Sequence, residues 1–378
     1  MSIHETPVLI IGAGPAGLAV AGRLRREGVP FEIIEKSQHV GNSWRNHYDR
    51  LHLHTIKELS NIPHLDFPED YPRYVSRQQL VNYFEKYAAH FEIQPNFGQE
   101  VSSVKREGEG RWMVKTEQGT QFTSRHVVLA TGVNRVPYRP GFDEEENFQG
   151  AIIHSAAYRN PEPFVGERVL VVGMGNTGAE IALDLCEAGI ECCISVRGAV
   201  NIVPRDIFGR PTQLTALALA KLPHWLGDRI GLLVRRLVVG DLSKYGVDSP
   251  KLAPTEQLRV GGKTPVIDLG TISLIKSGKL KVLPGINHFT TDSVVFKDDT
   301  QHTFDSVILA TGYRARVQDF LTDIAPILDK YDAPRGCIGE GNYAGLYFIG
   351  YDNYTPGGIL GTIRRDSGII AEQVKKNY

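Results

Sequence analysis

Two glycine-rich turns carry the most legible chemistry in this 378-residue chain. The first reads Gly12-Ala13-Gly14-Pro15-Ala16-Gly17 and the second Gly173-Met174-Gly175-Asn176-Thr177-Gly178. In such a turn the first glycine permits the tight bend and the second lets the backbone approach a pyrophosphate. The third lets helix and strand pack closely, and the start of the helix then offers free N–H groups to the phosphates. One G-x-G-x-x-G is weak evidence, but two in the same setting are strong. The residue that should meet the adenosine end differs between them. Glu35 lies 23 positions after Gly12 (35 − 12), and a carboxylate there accepts hydrogen bonds from a ribose. Arg197 lies 24 positions after Gly173 (197 − 173), and its planar guanidinium suits a 2′-phosphate. The plainer reading of Arg197 is a surface charge at a strand end; the lack of an acid where NAD would need one favours the phosphate. The first turn, with Gly12, Gly14, Pro15, Ala16, Gly17 and Glu35, therefore reads as an FAD site. The second, with Gly173, Gly175, Asn176, Thr177, Gly178 and Arg197, reads as an NADPH site.

These turns need strands that end on them and helices that begin after them, and the chain supplies both twice. Val8-Leu9-Ile10-Ile11 reads as a buried strand, followed by a helix to about Glu27, a stop at Gly28 and a strand ending at Glu35. Val169-Leu170-Val171-Val172 begins the same order, with a helix to about Glu187, a stop at Gly189 and a strand from Cys192 ending at Arg197. A further element repeats. Val127-Val128-Leu129-Ala130-Thr131-Gly132 and Val307-Ile308-Leu309-Ala310-Thr311-Gly312-Tyr313 are strands that end in Ala-Thr-Gly, where small residues let the chain pass close to a dinucleotide. Thr131, Thr311 and Tyr313 are candidate contacts there. Each follows a β-rich stretch, roughly 97–122 and 281–304. The fold expected is α/β, with two dinucleotide-binding, Rossmann-like domains: an FAD domain over 1–148 and 316–378, and an NADPH domain over 149–315 inserted into it.

Composition excludes several other classes. The 42 basic and 43 acidic residues are mixed along the chain, so no nucleic-acid-binding stripe is expected. The start, Met1 to Pro7, has no basic and apolar leader, so no signal peptide is expected. The apolar stretch 214–239 is broken by Lys221, Pro223, Asp228, Arg229, Arg235 and Arg236, too often for a transmembrane span. Buried or pocket-lining helices are the favoured reading, ahead of a membrane-surface pair. The four cysteines include no Cys-x-x-Cys, which argues for a reducing cytoplasm and against a dithiol relay. Cys192 and Cys193 should point to opposite faces of a strand. His52-x-His54 lacks accompanying carboxylates, so no metal site is expected.

Phe148-Gln149-Gly150-Ala151-Ile152-Ile153-His154-Ser155-Ala156-Ala157-Tyr158 is similar to the F-x-G-x-x-x-H-x-x-x-Y fingerprint of flavin-containing monooxygenases. Related Baeyer–Villiger enzymes usually end that fingerprint in tryptophan. Within the first group the chain resembles the YUCCA enzymes of plants, which oxidise indole-3-pyruvate to indole-3-acetate. The likeness includes Tyr48-Asp49-Arg50-Leu51-His52-Leu53-His54, Phe67 to Pro72, Gly262 to Thr271, Ile275 to Gly278 and Gly358-Ile359-Leu360-Gly361. Many flavin-containing monooxygenases have asparagine where this chain has His54, whereas YUCCA-like sequences place histidine there. The segment Asn353 to Gly358 departs from the plant pattern, which usually has an arginine-containing segment.

The resemblance implies that NADPH delivers hydride to the flavin and that molecular oxygen then forms a C4a-(hydro)peroxyflavin, shielded by retained NADP⁺. One oxygen atom would pass to a small-molecule substrate. It implies that Gly41-Asn42-Ser43-Trp44 runs beside the flavin, with Ser43 and Trp44 as contacts, and that His54 stands near the reacting edge. A histidine there can donate a hydrogen bond or shuttle a proton. Lys36, Val101 and Leu360 complete the expected cofactor contacts. An α-keto acid such as indole-3-pyruvate would need a cation for its carboxylate, drawn from Arg205, Arg210, Arg259, Lys263, Arg364 and Arg365. The alternatives are a general N- or S-oxygenating enzyme, an NADPH oxidase and a redox-sensing flavoprotein. A homodimer is left open.

Overall fold

The computed structural model describes residues 3–378; Met1 and Ser2, the start of the segment expected to lack a leader, lie outside them. Two all-parallel, five-stranded sheets dominate, and their strand orders match. In the first, Leu346–Phe348, His126–Leu129, Val8–Ile11, Glu32–Glu35 and Asn96–Phe97 lie side by side. In the second the order is Ala151–His154, Ser306–Leu309, Arg168–Val172, Glu191–Ser195 and Lys281–Leu283. The strand before each glycine turn is central in both, flanked by the Ala-Thr-Gly strand and by the strand ending at Glu35 or beside Arg197. Val8, Leu9 and Ile10, like Val169, Leu170 and Val171, are wholly buried, which is why these runs are continuously apolar rather than alternating.

The helices Pro15–Arg26 and Asn176–Glu187 follow the two turns, each 12 residues long. Gly28 and Gly189 end them in the left-handed region, at φ 68° and 79°. Antiparallel strands accompany each unit: Val101–Arg106, Trp112–Thr116 and Gln121–Ser124 in the first, Ile286–Phe289, Ser293–Phe296 and Gln301–Thr303 in the second. The two Ala-Thr-Gly crossings meet as a short ribbon, where Tyr313 pairs with Pro137 and Arg314 with Val136. Cys192 is buried on one face of its sheet, and Cys193 packs against the cluster on the other, as strand alternation requires. All four cysteines are free thiols.

One expectation is corrected in part: the helices expected over 214–239 are not buried ones. The apolar stretch 214–239 forms helices Thr212–Leu219 and His224–Val238, but only Gly227 within them is fully buried. Trp225, Leu233 and Leu237 are exposed on one stripe of the longer helix. Its apolar residues Leu226, Ile230, Val234 and Leu237 gather on one face, and the rest of the chain covers that face only in part. Among the described residues no helix is long and apolar enough to cross a membrane.

Candidate active site

The glycine turns are built alike. Gly12 and Gly173 have φ of 108° and 104°, open to glycine and costly for other residues. A β-carbon on Gly12 would stand 2.7 Å from the carbonyl oxygen of Ala130, and one on Gly173 would stand 2.8 Å from that of Ala310. Each turn is thus pressed against its own Ala-Thr-Gly strand, which sets Thr131 and Thr311 beside it. A β-carbon on Gly17 or Gly178 would lie 1.9 Å from the carbonyl oxygen of Gly12 or Gly173, so these glycines close the helix onto the turn. Gly14 and Gly175 differ: a β-carbon there would meet nothing within 4 Å. Each caps its helix without a side-chain hydrogen bond, leaving a cradle of backbone N–H groups over open space. That arrangement fits a pyrophosphate at both turns. Pro15 and Ala16, and Asn176 and Thr177, open the helices. The Asn176 amide also ties the helix to Val266–Asp268, accepting from Ile267 N at 2.7 Å.

Glu35 ends its strand with its carboxylate turned to the first cradle. Oε2 accepts from Ala13 N at 2.8 Å and Oε1 from Ser37 N at 2.9 Å, which holds the acid where a ribose would lie. Lys36 is exposed and lies 4.0 Å from Glu100. Val101 opens its strand against the first unit's core, and the Leu360 side chain is buried in that core at the start of helix Ile359–Asn377. Thr131 Oγ1 is 2.7 Å from the Tyr351 hydroxyl, and Thr311 Oγ1 donates to the Tyr138 carbonyl.

Arg197 is exposed, and Lys263 lies within electrostatic reach of both Arg197 and Lys330. Burial lowers the Lys263 pKa, and the Arg197 and Lys330 charges lower it further. None of the three takes part in an ion pair among the described residues. Three unpaired cations on one spot repel each other unless an anion sits among them, and a 2′-phosphate is such an anion. Lys330 was not legible in the sequence, because it reaches the second unit from the segment after Val317, which packs on the first. Arg197→Ala is expected to reduce the preference for NADPH over NADH by about ten- to a hundred-fold, the worth of one charge-assisted contact. Paired titrations of flavin reduction with each nucleotide measure this; equal discrimination by wild type and variant would remove Arg197 from the phosphate.

The fingerprint residues join the crossings to the second sheet. Phe148 meets Phe289 edge-on at 5.4 Å. His154 Nδ1 accepts from Ala156 N at 3.1 Å, so Nε2–H donates to the Gly312 carbonyl at 3.0 Å. The His154 ring also meets Tyr313 edge-on at 5.1 Å. Tyr158 donates to Asp184 at 2.8 Å from within the second core.

Between the two units runs the segment 41–56. Gly41 N donates to Ala13 O at 3.0 Å, which hangs the short helix Asn42–Arg45 on the first turn. Ser43 on that helix is exposed, and Trp44 is half-buried against the cores of both units. Further along, His54 Nε2 lies 2.9 Å from Glu180 Oε1, and Tyr48 OH donates to Glu180 Oε2. Glu180 is 2% exposed and belongs to the helix that starts at the second glycine turn. Sequence reasoning missed it. The signal was a lone acid among Gly178, Ala179, Ile181 and Ala182 on a helix whose neighbours are all buried. Next to His54, Ile56 N donates to Gln213 Oε1 at 2.9 Å, and Gln213 Nε2 donates to the Gly357 carbonyl at 2.8 Å. Helix Thr212–Leu219 is therefore tied to the chain two residues after His54.

Most of the cations considered for a substrate carboxylate have other partners. Arg205 pairs with Asp206, Arg259 with Asp228, and Arg365 with Asp352 and Asp366. Arg364 donates to the Asn61 and Glu58 carbonyls. Arg210 is exposed, and Lys263 belongs to the cluster around Arg197. Among the described residues no group of three histidines, cysteines or acids could hold a metal ion.

A pair of matched nucleotide units with a cleft segment between them defines a two-dinucleotide flavoprotein. Residues 9–205 match the family described as pyridine nucleotide-disulphide oxidoreductase. The probable indole-3-pyruvate monooxygenase YUCCA7 of Arabidopsis thaliana is 40% identical over 357 residues, covering 91% of this chain and 82% of that protein. The indole-3-pyruvate monooxygenase YUCCA1 of Oryza sativa subsp. japonica is 40% identical over 362 residues, covering 94% and 88%. Among solved structures, a flavin-containing monooxygenase from Stenotrophomonas maltophilia shares the fold with a TM-score of 0.77 at 20% identity, over 99% of both chains. The chain belongs to the YUCCA family of flavin monooxygenases. It is an FAD-containing, NADPH-dependent monooxygenase.

Proposed function

We propose that this chain oxygenates an aromatic α-keto acid, with indole-3-pyruvate as the leading candidate, and releases carbon dioxide and the shortened acid. The observation that carries the reading is the setting of His54 between the two nucleotide units, two residues from where the half-buried apolar helix Thr212–Leu219 is bonded to the chain. A flat ring needs such an apolar wall, and a reacting carbonyl needs a group beside it that can exchange a proton. The names of the relatives support the same substrate.

In this reading FAD is held by Gly12, Gly14, Pro15, Ala16, Gly17 and Glu35, with Lys36, Ser43, Trp44, Val101, Thr131 and Leu360 along its length. NADPH is held by Gly173, Gly175, Asn176, Thr177, Gly178 and Arg197, with Thr311 and Tyr313 at the crossing. When bound and reduced by NADPH, the flavin supplies the oxygen-activating chemistry. The protein's own residues do the rest. The helix starts orient the two pyrophosphates. Trp44, half-buried between the cores, excludes water from one side. His54 offers its free ring nitrogen to the reacting edge and takes up a proton there as oxygen is transferred.

The domains divide as 1–148 with 316–378 for FAD, and 149–315 for NADPH. Pairing of Leu346–Phe348 with His126–Leu129 supports this, as does pairing of Ser306–Leu309 with Arg168–Val172. Four free thiols suit a reducing compartment, and we assign the protein to the cytoplasm.

The test is to supply indole-3-pyruvate, phenylpyruvate, trimethylamine and a simple thioether separately under single turnover. The keto-acid reading requires near-stoichiometric carbon dioxide and shortened acid from the first two. Oxygen gained only by the amine or thioether would make the chain a general N- or S-oxygenating enzyme instead.

A further inference from the structure

The Glu180 carboxylate is the least expected group in the molecule. It is 2% exposed, carried by a helix of the second unit, and its partners among the described residues both come from the first. Tyr48 is 132 positions away in the chain and His54 is 126. Burying a carboxylate is expensive unless its oxygens are satisfied, so a position that retains one needs a reason beyond packing. Nearby charge does not supply it. Arg50 is committed to Asp184 and Glu187. His47 packs edge-on against the Tyr48 ring at 4.9 Å, and burial lowers its pKa to about 4, so it is neutral near pH 7.

We propose that Glu180 is the positioning residue for His54, fixing which ring nitrogen carries the proton. An ionised carboxylate only accepts. Tyr48 donates to Oε2, and burial together with the Glu180 charge keeps that phenol protonated. The contact at Oε1 then requires Nε2–H on His54. Nδ1 has no hydrogen-bond partner among the described residues and is left to act elsewhere. A carboxylate that orients a histidine by binding its other nitrogen is a recurring device wherever one ring nitrogen must be reserved for chemistry. Here the orienting acid follows the last glycine of the second turn by two positions (180 − 178). The orientation of His54 is thereby tied to the element that would receive the nicotinamide nucleotide. This inference rests on the proposed role of His54 for its meaning in catalysis, but not for its geometry.

The experiment keeps the two apart. The FAD-loaded resting protein is labelled with ¹⁵N-histidine, and the His54 ring signals are assigned by their loss in His54→Asn. In wild type the neutral ring should carry its proton on Nε2 alone. Glu180→Gln is nearly isosteric, but its amide can accept or donate, so both tautomers should appear. A neutral wild-type ring protonated on Nδ1 would overturn the proposal even if Glu180→Gln does not fold. An unchanged Nε2–H pattern in Glu180→Gln would also overturn it. In turnover, Glu180→Gln and His54→Ala should each slow oxygen transfer to the substrate by about tenfold or more and release more hydrogen peroxide, and the double variant should be slowed no further than the larger single effect, because the two act as one unit. Multiplying effects would show that Glu180 does not act through His54. If His54→Ala leaves peroxide release unchanged, the catalytic reading of His54 fails, while the positioning by Glu180 is still decided by the ring signals.

Discussion

Gly14→Val is expected to fold and to be colourless. The backbone at Gly14 is extended, with φ −78° and ψ −175°, a conformation open to any residue, and a β-carbon there meets no atom within 4 Å. The fold therefore tolerates the side chain, but the space it fills is the cradle that a pyrophosphate must enter. Excluding that approach should weaken FAD binding by at least about a hundredfold, or roughly 2.7 kcal/mol. Gly175 has nearly the same backbone, with φ −90° and ψ −176°, and the same open space. Gly175→Val should remain yellow and fail to be reduced by NADPH. The pair assigns the two sites against each other, since the opposite outcomes would exchange the cofactors. Gly17→Ala and Gly178→Ala serve as controls. Their β-carbons would stand 1.9 Å from a backbone oxygen, so both should lose stability whatever cofactor is present. Flavin absorbance after purification, thermal unfolding and anaerobic reduction by NADPH read these outcomes directly.

His54→Ala should separate reduction from oxygen transfer. The variant keeps both glycine turns, Glu35 and Arg197, so FAD content and the rate of anaerobic reduction by NADPH should stay within about twofold of wild type, under ~0.5 kcal/mol. What it removes is the ring held by Glu180. A positioned general acid or base typically contributes 10²–10⁴-fold, so even the low end should divert most reducing equivalents to hydrogen peroxide. NADPH consumption and peroxide release measured together test this. Tight coupling retained in the variant would make His54 a structural residue.

Much of this was legible in the sequence because it is local. A glycine turn, the strand before it and the helix after it lie within some 20 residues, and the requirements at Gly12, Gly17, Gly28 and their counterparts follow from backbone geometry alone. The repeat made each reading a check on the other, and the two sheets have the same strand order. What escaped was non-local. Glu180 meets Tyr48 and His54 only because the segment 41–56 crosses from one unit to the other, and no spacing rule relates positions 126 and 132 apart. Lys330 joins Arg197 and Lys263 for the same kind of reason. The helix His224–Val238 misled in the opposite way. Its composition resembles a core helix, but Arg229 and Arg236 share the stripe with Trp225, Leu233 and Leu237, and that stripe faces outward.

The central claim is that one atom of molecular oxygen enters an α-keto acid for each NADPH consumed. The most direct measurement is turnover of the FAD-loaded protein with NADPH and indole-3-pyruvate under ¹⁸O₂, following NADPH, carbon dioxide, hydrogen peroxide and the isotopic mass of indole-3-acetate. The account predicts one carbon dioxide and one singly ¹⁸O-labelled carboxylate per NADPH, with little peroxide. Unlabelled acid, or peroxide released in step with NADPH while the keto acid is untouched by the enzyme, would contradict it.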